Sequence, residues 1–139
     1  MTLSSPVVEP VRLERDRWAD GRADHLCEAA PTPADLEAAV LALDQQRHTE
    51  VVVTGHDGQW LAIAGGAGHY TVHLGSDEHD DVIVVRTPDA APGRVPLVAA
   101  GRLRQVPRHE VVDLDTALRA VRAFAEDGRP DPTLRWASG

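Results

Sequence analysis

The chain has 139 residues, 42% of them hydrophobic and 26% charged, which is one domain's worth of sequence with enough apolar residues for its own core. It carries 22 acidic and 14 basic residues, a net charge of −8, and every basic residue is arginine. This balance argues against a nucleic-acid backbone as partner, which needs clustered positive charge, and the single Cys27 excludes an internal disulfide and a multi-thiolate metal site.

No apolar run approaches the roughly 18 residues of a membrane-spanning helix. The opening MTLSSPVVEPVRLERDRW lacks the basic and apolar regions of a secretory signal. The expectation is a cytoplasmic protein with no membrane partner. Its acid excess suits a basic protein partner, because complementary fields orient encounter, and it equally suits solubility alone. The all-arginine usage matches a GC-rich genome and carries no mechanism.

Residues 1–20 read as irregular, since Pro6 and Pro10 interrupt any pattern, with a short extended piece near Leu13 or His25–Glu28. TPADLEAAVLALDQQ then opens a helix, with Thr32 as N-cap, Pro33 at the first helical position and Asp35 in the first turn. Its buried face is Leu36, Ala39, Val40 and Leu43. EVVVTGHDGQWLAIAG reads as two strands, Glu50–Thr54 and Trp60–Ala64, around a bend at Asp57-Gly58. Trp60 heads an alternating strand and is expected in or beside the core. Gly65–Gly68 supplies a hairpin turn, and HYTVHLG alternates Tyr70, Val72 and Leu74 against Thr71 and His73 as another half-buried strand. DVIVVRT suits a central strand, and VPLVAAGRLRQVP could hold one or two more.

The last stretch is the clearest. Leu114, Ala117, Leu118, Val121 and Phe124 form one apolar helical face. Asp113 and Asp115 sit where an N-cap and a first-turn acid belong, and Gly128 then Pro130 stop the helix. Leu134 and Trp136 follow two residues apart, which on a short final strand turns both toward the core. Strands joined by short turns pair antiparallel. The fold class is therefore α+β: one domain, an antiparallel sheet of about five or six strands, and two main helices packed against it.

Chemistry-bearing residues do not assemble into an active site. His69 and His73 lie four apart, but on a strand that is about 13 Å, too far to share a metal at roughly 3.3 Å per residue. SDEHDD (Ser76 to Asp81) lacks the spacing and glycine of a calcium loop and reads as an acidic turn. Ser76 has no nucleophile elbow around it, and the glycines at 65–68 match no phosphate loop. One cysteine is too few for a zinc deaminase. No catalytic, cofactor-binding or metal residues are expected.

VVDLDTALRAVRAFAEDGRPDPTLRW resembles the C-terminal signature of the Imm1 family of bacterial immunity proteins. The matching positions are Ala117, Leu118, Phe124, Gly128, Pro130 and Trp136, and the upstream order of helix and hairpin is also similar, so the likeness covers about residues 22–136. It implies an Imm1-like α+β domain over 21–139, which follows the segment 1–20 read as irregular from its prolines. It also implies a stoichiometric inhibitor encoded beside a toxin of a polymorphic toxin system, often a nucleic-acid deaminase, whose active site it occludes in a 1:1 complex. The contact residues are not part of the signature. Charge density selects Asp77, Glu78, Asp80 and Asp81, joined by His73 and His79. The competing readings are an interaction or regulatory domain with another protein partner and a small enzyme built on histidine and carboxylate.

Overall fold

The computed structural model describes residues 11–138, apart from the side chains of His79 and Asp80. Strands β1 (Arg12–Ala19) and β2 (Arg22–Ala29) precede helix α1 (Pro33–Leu41). Strands β3 (Glu50–Thr54), β4 (Gln59–Gly66), β5 (His69–Ser76) and β6 (His79–Val85) follow as a meander. A separate hairpin, β7 (Arg94–Ala99) and β8 (Arg102–Pro107), leads through a 3-10 turn to helix α2 (Leu114–Asp127) and strand β9 (Trp136–Ser138). Seven strands form one sheet in the order β2-β1-β3-β4-β5-β6-β9, with every neighbouring pair antiparallel.

The α+β class with two main helices holds, and the sheet is larger than expected. The main correction is at the N-terminal side. Residues 12–19, expected to be irregular apart from a short extended piece near Leu13, form β1, an interior strand paired along its length with β2, which contains the other expected extended piece, His25–Glu28, and over Arg12–Arg15 with β3. The expected irregularity of residues 1–10 lies outside the described residues. The local signal was present in Asp20-Gly21, which closes the β1–β2 hairpin with both residues at positive φ, 52° and 75°. That is the turn whose twist matches paired strands, and Asp-Gly is among its favoured pairs.

Both helices start as their sequences direct and α2 also stops so, whereas α1 ends at Leu41 and leaves Leu43, expected on its face, buried just beyond the helix. Thr32 accepts from the Asp35 amide at 3.2 Å while the Asp35 carboxylate accepts from the Thr32 amide at 2.9 Å, a reciprocal capping box. Asp113 caps α2 by accepting from the Thr116 amide at 2.9 Å. Gly128 ends that helix in the left-handed region at φ 70°. The helices pack together on one face of the sheet, tied at the surface by Arg122 and Glu37 at 2.6 Å. Between helices and sheet lie Leu36, Val40, Val51, Val53, Leu61, Ile63, Val72, Val121 and Phe124, all at 1% exposure or less.

The β7–β8 hairpin packs Leu97 and Ala99 on Ala64, which by strand alternation lies on the face opposite the helices. Gln45 holds the hairpin there, donating to the Gly66 carbonyl at 2.8 Å and accepting from the Val98 amide at 2.9 Å. The expected Gly65–Gly68 turn is narrower, with Gly65 and Gly66 in β4 and the turn itself at Ala67-Gly68.

At the C-terminus, β9 closes the sheet against β6 and begins at Trp136, so Leu134 precedes the strand. Both side chains are half-buried and pack on the helix-side core, and the Trp136 indole N–H donates to the Asp131 carbonyl at 2.9 Å. Trp136→Ala should therefore lower unfolding free energy by about 2–3 kcal/mol, short of the roughly 3–5 kcal/mol for a fully buried aromatic. Urea unfolding of the two proteins measures this, and a variant with the parent's midpoint would show that the indole packs on nothing.

Candidate protein-binding surface

Alternation along β1 places Arg12, Glu14, Asp16 and Trp18 on the sheet face away from the helices, because Leu13 points into the core. By the same rule β3 contributes Glu50, Val52 and Thr54 to that face, and β4 contributes Trp60 and Ala62. The strand register aligns them in rows across the sheet. One row runs Cys27, Glu14, Val52, Ala62, His73, Val84. The β7–β8 hairpin covers only part of this face and leaves the β1–β3–β4 part open.

The open part is a groove made of two adjoining depressions of about 290 and 400 Å³ that share Glu14, Glu50 and Val52. Trp18, Asp24, His25 and the hairpin's Ala100 line one end, and Thr54, Trp60 and Asp77 line the other. Trp60, expected in or beside the core, is instead half-buried on this open face with its ring against Gly75, where a Cβ would fall 2.4 Å from the ring, so glycine at 75 is a condition of the ring's position.

Asp16 builds the wall. Its carboxylate accepts from the Thr49 and Glu50 amides at 2.8 and 3.0 Å, from the Trp18 indole at 2.8 Å, and from the Thr49 hydroxyl. Thr49 Oγ1 in turn accepts from the Gly101 amide at 2.9 Å, which ties the tip of the β7–β8 hairpin to the sheet. The Trp18 ring closes on Gly101, a position with φ 76° and no room for a side chain. Burial alone would raise the Asp16 pKa, but these hydrogen bonds together hold it below the ordinary value.

Glu14 is held by Arg12 at 2.6 Å and by His25 at 2.8 Å. Glu50 is different. Its carboxylate is half-buried, and among the described residues no group reaches it within hydrogen-bond or ion-pair distance. Burial and then the neighbouring Asp16 charge push its pKa above the ordinary value, and Arg104 on the covering hairpin offsets this only in part.

The acidic turn sits at one end of the same face. The Asp77 amide donates to the Gly58 carbonyl at 3.0 Å, which sets the β5–β6 turn beside the β3–β4 turn, and Asp77 lines the groove. Asp77, Glu78 and Asp81 are exposed, while the side chains of His79 and Asp80 lie outside the described residues. His73 is half-buried on the sheet rather than out on the rim. Burial chiefly lowers its pKa, with Glu110 opposing and Arg104 adding to the effect. Phe124 lies in α2, Gly128 caps it with Pro130 following, and Trp136 opens β9; none of them lines the groove. Among the described residues no three His, Cys, Asp or Glu side chains converge as a metal site, and no helix is long and apolar enough to cross a membrane.

A family profile described as immunity protein Imm1 matches residues 26–138, from the middle of β2 to the end of β9. The chain belongs to the Imm1 family of immunity proteins. No curated protein matches it. An immunity protein has a toxin as its partner, so the surface that matters on this Imm1 protein is one that can engage another protein. The groove was hidden from sequence reasoning. Glu14, Asp16 and Trp18 recur two residues apart, a face signal masked by reading their segment as irregular, and Glu50 opens a strand whose only evident feature was its valines.

The clasp on Asp16 gives a pH-dependent prediction. A carboxylate whose folded-state pKa is depressed contributes stability that is complete above its ordinary value of 3.8 and lost as pH falls through the lower folded-state value. Asp16→Asn should cost about 2–3 kcal/mol at pH 7 by stranding buried donors, and the gap to wild type should narrow below pH 3.8. Denaturant titrations from pH 2 to 7 test this, and a gap independent of pH would remove the charge from the explanation.

Proposed function

We propose that this Imm1 protein neutralises a nucleic-acid deaminase toxin by binding, without catalysis of its own, and by covering the toxin's active site in a 1:1 complex. The observation that carries the reading is the continuity of the acidic turn with the open sheet face through Asp77. Asp77 lines the groove beside Glu14 and Glu50 on a chain of net charge −8, and the turn's Asp77, Glu78, Asp80 and Asp81 are the proposed contact acids. A deaminase that handles a nucleic-acid strand carries positive potential along its substrate channel. An acidic surface docks there, excludes the phosphate backbone and repels nucleic acid from the immunity protein itself. His73, half-buried on the same sheet face, and His79 complete the proposed contact set.

The test is co-expression with the toxin domain encoded in the adjacent reading frame, followed by purification of the complex. Wild type should restore growth and co-elute 1:1. Replacing Asp77, Glu78, Asp80 and Asp81 together by serine should weaken the complex at least about tenfold, or 1.4 kcal/mol, and should flatten its salt dependence. Melting should hardly change, because exposed charges contribute little to folding. Full protection by the quadruple variant would take the turn out of the interface.

A further inference from the structure

The groove offers a more specific reading, which rests on the proposal that the toxin docks on this face. Its floor is apolar, with Val52 and Ala62 side by side in the β3–β4 register. Its acids are not equivalent. Asp16 is saturated by four donors, and Glu14 already holds Arg12 and His25. Glu50 lies in both depressions of the groove and has no partner among the described residues. A carboxylate kept half-buried beside another charge costs the free chain stability, and such a cost is characteristic of positions retained for binding.

We propose that the groove receives an arginine side chain of the toxin, its aliphatic stem over Val52 and Ala62 and its guanidinium on Glu50 with Glu14 alongside. Arginine fits better than lysine. Its stem covers apolar surface while the head remains polar, and its planar fork of five donors can address two carboxylates at once. Trp60 closes the far end of the groove and supplies a rigid aromatic wall to the backbone that carries the arginine. The folded-state charge on Glu50 changes from a liability in the free protein to the centre of the complex.

The experiment uses the full chain and the purified, catalytically inactivated toxin domain, with binding measured by calorimetry and folding by thermal melts. Glu50→Gln should weaken the complex about thirtyfold or more. It should also melt at or above the wild-type temperature at pH 7, since removing a strained charge costs the free fold nothing. Glu126→Gln, exposed on α2 on the opposite side of the sheet, should change affinity less than about threefold and calibrates the effect of net charge. Replacing the toxin's arginines singly should find one whose loss is strongly non-additive with Glu50→Gln. Wild-type affinity in Glu50→Gln overturns the arginine assignment while leaving the docking face standing, whereas a wild-type chain that ignores the toxin overturns the docking itself. If Glu50→Gln melts low, the same cycle run with Glu14→Gln decides, and absence of any coupled toxin arginine overturns the proposal. Self-association of the wild type that Glu50→Gln abolishes would assign the groove to a second copy and overturn it as well.

Discussion

The Asp16 carboxylate is the constraint on which the exposed architecture depends. A seven-stranded sheet with helices on one face leaves its other face to be partly covered, and the β7–β8 hairpin that covers it touches the sheet through a small apolar cluster of Ala64, Leu97, Ala99 and Val106. That cluster is too small to set orientation by itself. Asp16 sets it, together with Gln45 at Val98, by gathering the Thr49 and Glu50 amides, the Thr49 hydroxyl and the Trp18 indole, and Thr49 passes the restraint to the hairpin tip at Gly101. Satisfying a half-buried carboxylate and three backbone groups in one place fixes direction as well as distance, which apolar contact does not.

The same arrangement explains why the groove exists and why it is charged. The hairpin stops at Ala100, at the edge of the β1–β3 surface, so Glu14, Glu50, Val52 and Trp60 stay uncovered. Asp16 is stabilised by its donors and raises the cost of the Glu50 charge next to it. One acid is thus spent on structure and its neighbour is left destabilised, facing a cavity. On the proposed reading this Imm1 protein works by presenting a ready surface, and such a surface holds its unpaired groups where a partner can pair with them.

Much of the helix-side structure was legible along the chain. The caps at Thr32 and Asp113, the stop at Gly128, the buried faces of both helices and the strands at Glu50–Thr54 and His69–Ser76 all follow from signals spanning a few residues. The C-terminal signature around Phe124 and Trp136 led to the family for a similar reason, since it records a helix, its stop and a returning aromatic. The candidate surface was less legible. The acidic turn stood out by charge density, and the structure extends it through Asp77 into a groove whose other acids looked unremarkable in sequence. Glu50 and Asp16 are 34 positions apart, and the hydrogen bond that joins them appears only when β1 enters the sheet beside β3.

The sequence alone thus determined most element types beyond residue 30, the helix starts, the stop of α2, the helix-side apolar core and the family, because capping, turn chemistry and hydrophobic period act within one or two turns of chain. Tertiary structure decided that residues 12–19 become an interior strand, where the hairpin sits, and which carboxylate is satisfied and which is not. Those outcomes depend on which strands become neighbours and on what solvent they exclude. A carboxylate's energy is set by the donors and charges around it in space, and no spacing along the chain specifies them.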